Sequence, residues 1–186
     1  GDVVSLWAPN SWQWVGSARA CWWVGCTVAP IPARGRILDA MPILQATGVK
    51  ALFTSSAESA GNLPSLIASH LLESHASLQQ VCPHLQDVVD FSREERWSAP
   101  GLGDVLPFVG FGQVAAPVPA AHVDGDDVSA ILFTSGSTGR PKSVPRRHAQ
   151  VLRNRWNATR NWGRAEDDRL LVVSEFSHTM GLHASM

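Results

Sequence analysis

Residues 129–144 read SAILFTSGSTGRPKSV. Ser129 to Phe133 is an apolar run of strand length, bounded by a Gly/Ser/Thr loop, and is expected to be a buried strand. The loop TSGSTGRPK runs from Thr134 to Lys142, and a helix is expected after it, with His148 at its start. Gly136 and Gly139 have no Cβ, so the backbone there can take positive φ and approach a ligand closely. Thr134, Ser135, Ser137 and Thr138 supply hydroxyls, and the loop backbone supplies N–H donors. Such a donor cluster suits phosphate oxygens. Lys142 adds a mobile point charge at the end of the loop. It is one of only two lysines, with Lys50, in a chain that otherwise uses arginine for positive charge.

Three better-known loops are excluded by spacing. A Walker A loop needs Gly directly before the Lys, and Pro141 holds that place. A nucleophile elbow needs Gly-x-Ser-x-Gly, whereas two residues separate Gly136 from Gly139. The dinucleotide pattern GxGxxG is absent. A flexible surface turn would account for SGSTG alone, but the flanks Ile131-Leu-Phe-Thr134 and Arg140-Pro-Lys142 argue against it. Charge points the same way. Between Asp127 and Glu166 there is no acidic residue, yet eight of the fifteen cations lie there. That block should attract phosphates. Net charge over the chain is −1, which argues against a globally basic nucleic-acid binder.

On the N-terminal side, VVSLWA (Val3 to Ala8) reads as a buried strand and Pro9-Asn10 as a turn. Ser11 looks like the N-cap of a helix through Val24, stopped by Gly25. A second strand is expected over Cys26 to Pro30, a helix over Arg36 to Thr47 ending at Gly48, and a third strand over Val49 to Thr54. Leu63 to Ser74 reads as a further helix. Residues 92–128, rich in Pro, Gly, Ala and Asp, are expected to be a long irregular connection. Strands alternating with helices of this length imply an α/β fold, a mostly parallel sheet with helices on both faces. With 186 residues, the chain has length for one domain.

Cys21, Cys26 and Cys82 are odd in number and follow no zinc spacing, so three reduced thiols in a cytoplasmic protein are expected. A metal site at Cys82, His84 and His75 is the minor alternative, and no residue of this chain is assigned to a metal. His70 and His75, five apart, cannot easily share an ion. Trp12 to Ile31 is apolar but broken by Arg19 and Gly25, too interrupted to span a membrane. Peripheral contact with a membrane surface through its Trp residues stays open as a second reading. After the loop, Arg153, Arg160 and Arg164 fall on one helical face, and Leu152, Trp156 and Thr159 on another. The first reading is an amphipathic helix with a solvated cationic face. The sharper one is a surface for the phosphates of CoA.

ILFTSGSTGRPKSV resembles the signature phosphate-binding loop of the adenylate-forming superfamily, which includes acyl-CoA synthetases, 4-coumarate-type CoA ligases, luciferases and peptide-synthetase adenylation domains. GDVVSLWAPNSWQWV, GCTVAPI and VKALFT resemble that family's opening units. LLVVSEFSHTMGL resembles the stretch leading to its next motif, an aromatic or aliphatic residue, then His, then Gly-Leu. The loop is the specific signal, and the outer similarities are individually weak.

The resemblance implies ATP-dependent activation of a carboxylic acid, fatty or otherwise, to an acyl-adenylate, followed by transfer to CoA. A carrier-protein thiol as acceptor, and an inactive remnant that only binds nucleotide or a partner, remain as alternatives. It implies ATP, Mg²⁺ and CoA as cofactors or substrates. Thr134, Ser135, Gly136, Ser137, Thr138, Gly139, Arg140, Pro141 and Lys142 would hold the β- and γ-phosphates. His178 and Gly181 would border the acid pocket. It also implies that residues 1–186 are part of the large N-terminal adenylation domain, inactive alone. The Mg²⁺-binding Thr-Glu motif, the ribose-binding Asp and the C-terminal domain with its catalytic Lys would lie outside it. The chain departs from the family pattern in three places: Ser143 for the usual Gly, the basic Pro145-Arg146-Arg147 stretch, and Glu175 where Pro is common.

Overall fold

The computed structural model describes residues 1–108, 118–134 and 142–185. Its centre is strand β1 (Val3–Leu6), flanked in parallel by β2 (Thr27–Pro30) and β3 (Ala51–Thr54). β4 (Asp87–Asp90) and β6 (Gly103–Pro107) continue the parallel sheet beyond β3, and β5 (Trp97–Ala99) closes that edge antiparallel to β6. On the other side, β7 (Val128–Thr134) lies parallel to β2, and β8 (Lys142–Arg147) runs antiparallel to β7. The resulting eight-stranded order is β5-β6-β4-β3-β1-β2-β7-β8. This is the mostly parallel α/β sheet expected.

Side-chain alternation along β1 distributes two cores. Val4 and Leu6 join the core beneath helix α1 (Trp12–Trp23), with Trp14, Ala18, Cys21, Val28, Ala130 and Leu182. The opposite face carries Leu52, Val88 and Val105 beneath helices α2 (Ile37–Thr47) and α3 (Leu63–Glu73). β1 connects rightward to β2 through α1, whereas β2 crosses back over β1 to β3 through α2. A right-handed crossover in each direction puts the two helices on opposite faces.

Local signals account for the helix boundaries. The Ser11 side chain accepts a hydrogen bond from the Trp14 amide at 3.1 Å, capping α1. Gly25 follows at φ 76° and Gly48 ends α2 at φ 58°, both left-handed positions that glycine takes without strain. A short helix α4 (Leu78–Val81), helix α5 (His148–Asn161) and helix α6 (Thr179–Ser185) complete the set.

Two expectations are corrected. Residues 92–128 are not one irregular connection, because β5 and β6 lie within them and extend the sheet. Both are short, β5 reading Trp-Ser-Ala and β6 Gly-Asp-Val-Leu-Pro, and the pairing of β6 with β5 on one side and β4 on the other holds them extended. The loop after β7 leads into strand β8 rather than directly into a helix. Pairing with β7 from Thr134↔Lys142 to Val128↔Arg147 holds this stretch extended despite Pro145, and an edge strand tolerates that proline. His148 does open the following helix, α5.

One polar group ties the left half of the sheet to its loops. Asp90 is fully buried at the end of β4. Its Oδ1 accepts from the amides of Ser56 at 3.0 Å and Ser92 at 2.9 Å, and its Oδ2 from Trp97 Nε1 at 3.2 Å. Removing the carboxylate would strand three donors. Asp90→Ala should therefore cost ~3 kcal/mol or more, and Asp90→Asn less, measured as the shift in urea midpoint. A loss under ~1 kcal/mol in Asp90→Ala would show that water replaces the carboxylate there.

Candidate functional site at the carboxyl edge of the sheet

Parallel strands deliver their C-terminal ends to one edge, and ligands of open α/β sheets bind there, where neighbouring connections diverge. Here β1 connects one way and β3 the other, so the crevice opens beyond these two strands. A cleft of ≈ 330 Å³ lies at this point, lined by Pro9 and Asn10 after β1, Arg34 after β2, Ser59 after β3, and Val173 and Glu175 from the C-terminal segment. That volume is at the lower end for a small-molecule site.

β7 sends its C-terminal end to the same edge. Val28 of β2 pairs with Ala130, so Thr134 lies beyond the end of β2. Two strand spacings, roughly 10 Å, separate β7 from β1. Thr134 and Lys142 are register partners closing the β7–β8 hairpin, and both are exposed. The sequence-predicted site residues Ser135, Gly136, Ser137, Thr138, Gly139, Arg140 and Pro141 lie outside the described residues. Ser143, the departure after the lysine, is simply the β8 partner of Phe133.

His178 sits at the head of α6, where its carbonyl accepts from the Leu182 amide at 2.8 Å. Its side chain is exposed, while Leu182 and Gly181 are buried. A Cβ on Gly181 would collide with the Glu175 carbonyl, so this position accepts no side chain without a shift of backbone. The turn before α6 is seated on the end of β1 by Asn10, whose carboxamide bonds to the backbone of Ser174 and Phe176, both at 2.8 Å. From sequence, Asn10 is only a turn residue. Its partners lie 164 and 166 positions away, and no local pattern marks such a pair.

The basic block is partly committed. Arg147 pairs with Asp126 at 3.0 Å, and the Arg164 guanidinium lies 4.4 Å from the Trp162 ring centroid. The helical faces of α5 differ from expectation. Val151 is its buried residue, while Leu152 and Trp156 are about two-thirds exposed, at 64% and 65%. Among the described residues, no three His, Cys, Asp or Glu side chains gather in a group able to hold a metal ion, including the minor Cys82, His84 and His75 alternative. No described helix is long and apolar enough to cross a membrane.

None of the three cysteines is in a disulfide. Burial pushes the Cys21 thiol up to about 12 and the Cys82 thiol up to about 11. Burial also raises Cys26, but it is only half-buried. Thiolate concentration and access control alkylation. Iodoacetamide at pH 8 should therefore modify Cys26 first, and Cys21 and Cys82 only on denaturation, as peptide mass spectrometry can check. Early labelling of Cys21 would contradict the packing of α1.

Comparison with known proteins gives one family. The model for "AMP-binding enzyme" matches residues 1–186. A methyl-dioxo-octahydroindenyl-propanoyl:CoA ligase of Rhodococcus jostii is 32% identical over 99% of this chain, which spans 35% of that relative's length. Acetoacetyl-CoA synthetase of Streptomyces lividans superimposes with a TM-score of 0.80 at 18% identity, covering 100% of this chain and 28% of that one. O-succinylbenzoate coenzyme A synthetase of Bacillus subtilis, solved with ATP and magnesium ion, gives 0.68 at 18% identity, covering 100% of this chain and 40% of that one.

Proposed function

The chain belongs to the AMP-binding enzyme family, and on that premise we propose that it forms part of the N-terminal domain of an acyl-CoA synthetase. The observation behind this is the hairpin register that brings Thr134 and Lys142 opposite each other at the carboxyl edge of the sheet, with TSGSTGRPK strung between the two strands. A loop of hydroxyls, amides and one fixed-base cation suits the polyphosphate of ATP. A carboxylate oxygen of the acid attacks the α-phosphorus, the bond to the bridging oxygen breaks, and pyrophosphate leaves. The thiolate of CoA then attacks the acyl carbonyl and AMP departs. The loop's part in the first step is to position the phosphates and to offset charge growing on the leaving group.

His178 and Gly181 border the acid on this reading, with the Gly181–Glu175 contact closing the pocket wall. The acid named for the Rhodococcus jostii relative, a propanoate on a bicyclic ring, is the first substrate to try. Mg²⁺ accompanies ATP in this chemistry but is assigned to no residue of 1–186. A reduced cytoplasmic setting, with no nucleic-acid partner, is consistent with the free thiols and balanced charge.

Two measurements on the intact enzyme test this. Lys142→Ala should slow ATP–pyrophosphate exchange by about tenfold to a thousandfold, through loss of a charge-assisted contact. Unchanged exchange would remove Lys142 from the mechanism. His178→Ala should raise KM for the acid by about tenfold and leave KM for ATP within about twofold. Equal effects on both would place His178 away from the acid.

A further inference from the structure

We propose that Asn10 is a positioning residue for the acid pocket: its carboxamide fixes the turn 174–178 on the end of β1. The proposal rests on reading that turn as pocket wall.

The Asn10 Nδ2 donates to the Ser174 carbonyl at 2.8 Å, and its Oδ1 accepts from the Phe176 amide at 2.8 Å. One planar group thus satisfies a backbone acceptor and a backbone donor two residues apart. Few side chains can do this. Asp has no donor, Ser is too short, and Gln places the amide one methylene further out. The two bonds also set both distance and rotation of the turn relative to the sheet.

The other restraints on the turn are less directional or internal to it. The Phe176 ring packs 5.3 Å from that of Trp14, a contact that permits sliding. The His178 amide bonds to the Glu175 carbonyl at 3.1 Å, which closes the turn on itself. Gly181 abuts that same carbonyl and fixes the turn to α6. Asn10 ties this unit to the segment that follows β1 by two directional bonds. Asn10 is itself exposed. Exposed hydrogen bonds exchange readily for water, so their loss should loosen the turn far more than it unfolds the protein. A displacement on the order of 1 Å at a substrate-orienting segment is enough to slow a reaction about a hundredfold.

The test uses the intact enzyme with Asn10→Ala and Asn10→Asp. Amide hydrogen exchange over residues 174–178 should be about tenfold or more faster in Asn10→Ala. KM for the acid should rise about tenfold, with KM for ATP within about twofold and an unchanged melting temperature. Asn10→Asp keeps the acceptor for Phe176 and should fall between wild type and Asn10→Ala. It also carries the test if Asn10→Ala does not fold, and wild-type exchange and acid KM in Asn10→Asp would then overturn the proposal. Unchanged exchange in Asn10→Ala would overturn it, as would faster exchange with an unchanged acid KM. Acid and ATP KM rising together as the melting temperature falls would reduce Asn10 to a fold residue. His178→Ala measured alongside separates the two readings. A wild-type acid KM in His178→Ala, with a raised one in Asn10→Ala, supports Asn10 and removes only His178. The reverse pattern overturns Asn10 alone.

Discussion

Burial of β1 on both faces is the constraint from which the rest follows. A strand covered by helices above and below must be nearly apolar throughout, and VVSL meets that condition except at Ser5. Its hydroxyl cannot reach water, and it is satisfied by donation to the Ala29 carbonyl of β2 at 2.7 Å. That bond joins the first two strands through a side chain as well as through the ladder. With β1 enclosed, the chain can grow only sideways, and it does so in both directions. The point where the two directions part is where the cleft opens.

The cation at the loop's end gains a different meaning once β8 is recognised. A lysine at the start of a helix would move with the helix. Lys142 instead begins a strand paired along its whole length with β7, which is itself bound to β2. The Trp22 indole donates to the Ser129 carbonyl at 2.8 Å and the Thr27 hydroxyl to the Val128 carbonyl at 2.8 Å, locking β7 at its base. A site built on strands holds its geometry better than one built on loops alone. Thr134 and Lys142 are therefore both held within paired strands.

How much was legible in the sequence depended on the range of the interaction. Ser11, Gly25 and Gly48 act on their own helices, and each stop or start was readable within a residue or so. Periodicity placed β1, β2, β3 and β7 because burial on both faces leaves a continuous apolar run. β4, β5, β6 and β8 were not read, since Asp87-Val-Val-Asp90, Trp97-Ser-Ala99, Gly103-Asp-Val-Leu-Pro107 and Lys142-Ser-Val-Pro-Arg-Arg147 owe their extension to neighbours. The Gly/Ser/Thr loop stood out by residue type alone, and its proposed phosphate role rests on that reading. The Asn10 anchor and the Asp90 hub did not stand out, because a single polar side chain gives no sign of which distant backbone it will meet.

The parallel pairing of β2 with β7 has a temporal side. Thr27 and the Val128 carbonyl it bonds are 101 residues apart. Translation at about 5–20 residues per second leaves on the order of 5–20 s between the ribosome's completion of one strand and of the other. Once β3 has also been made, β1, β2 and β3 can associate while the outer side of β2 is still a bare row of peptide groups. All four residues of β2 are buried in the finished protein, so nothing charged guards them meanwhile. The nascent chain is most open to mispairing with another copy of itself in this window, and slower synthesis before residue 128 would lengthen the exposure. Pro30, with no N–H to offer, shortens the vulnerable edge by one donor.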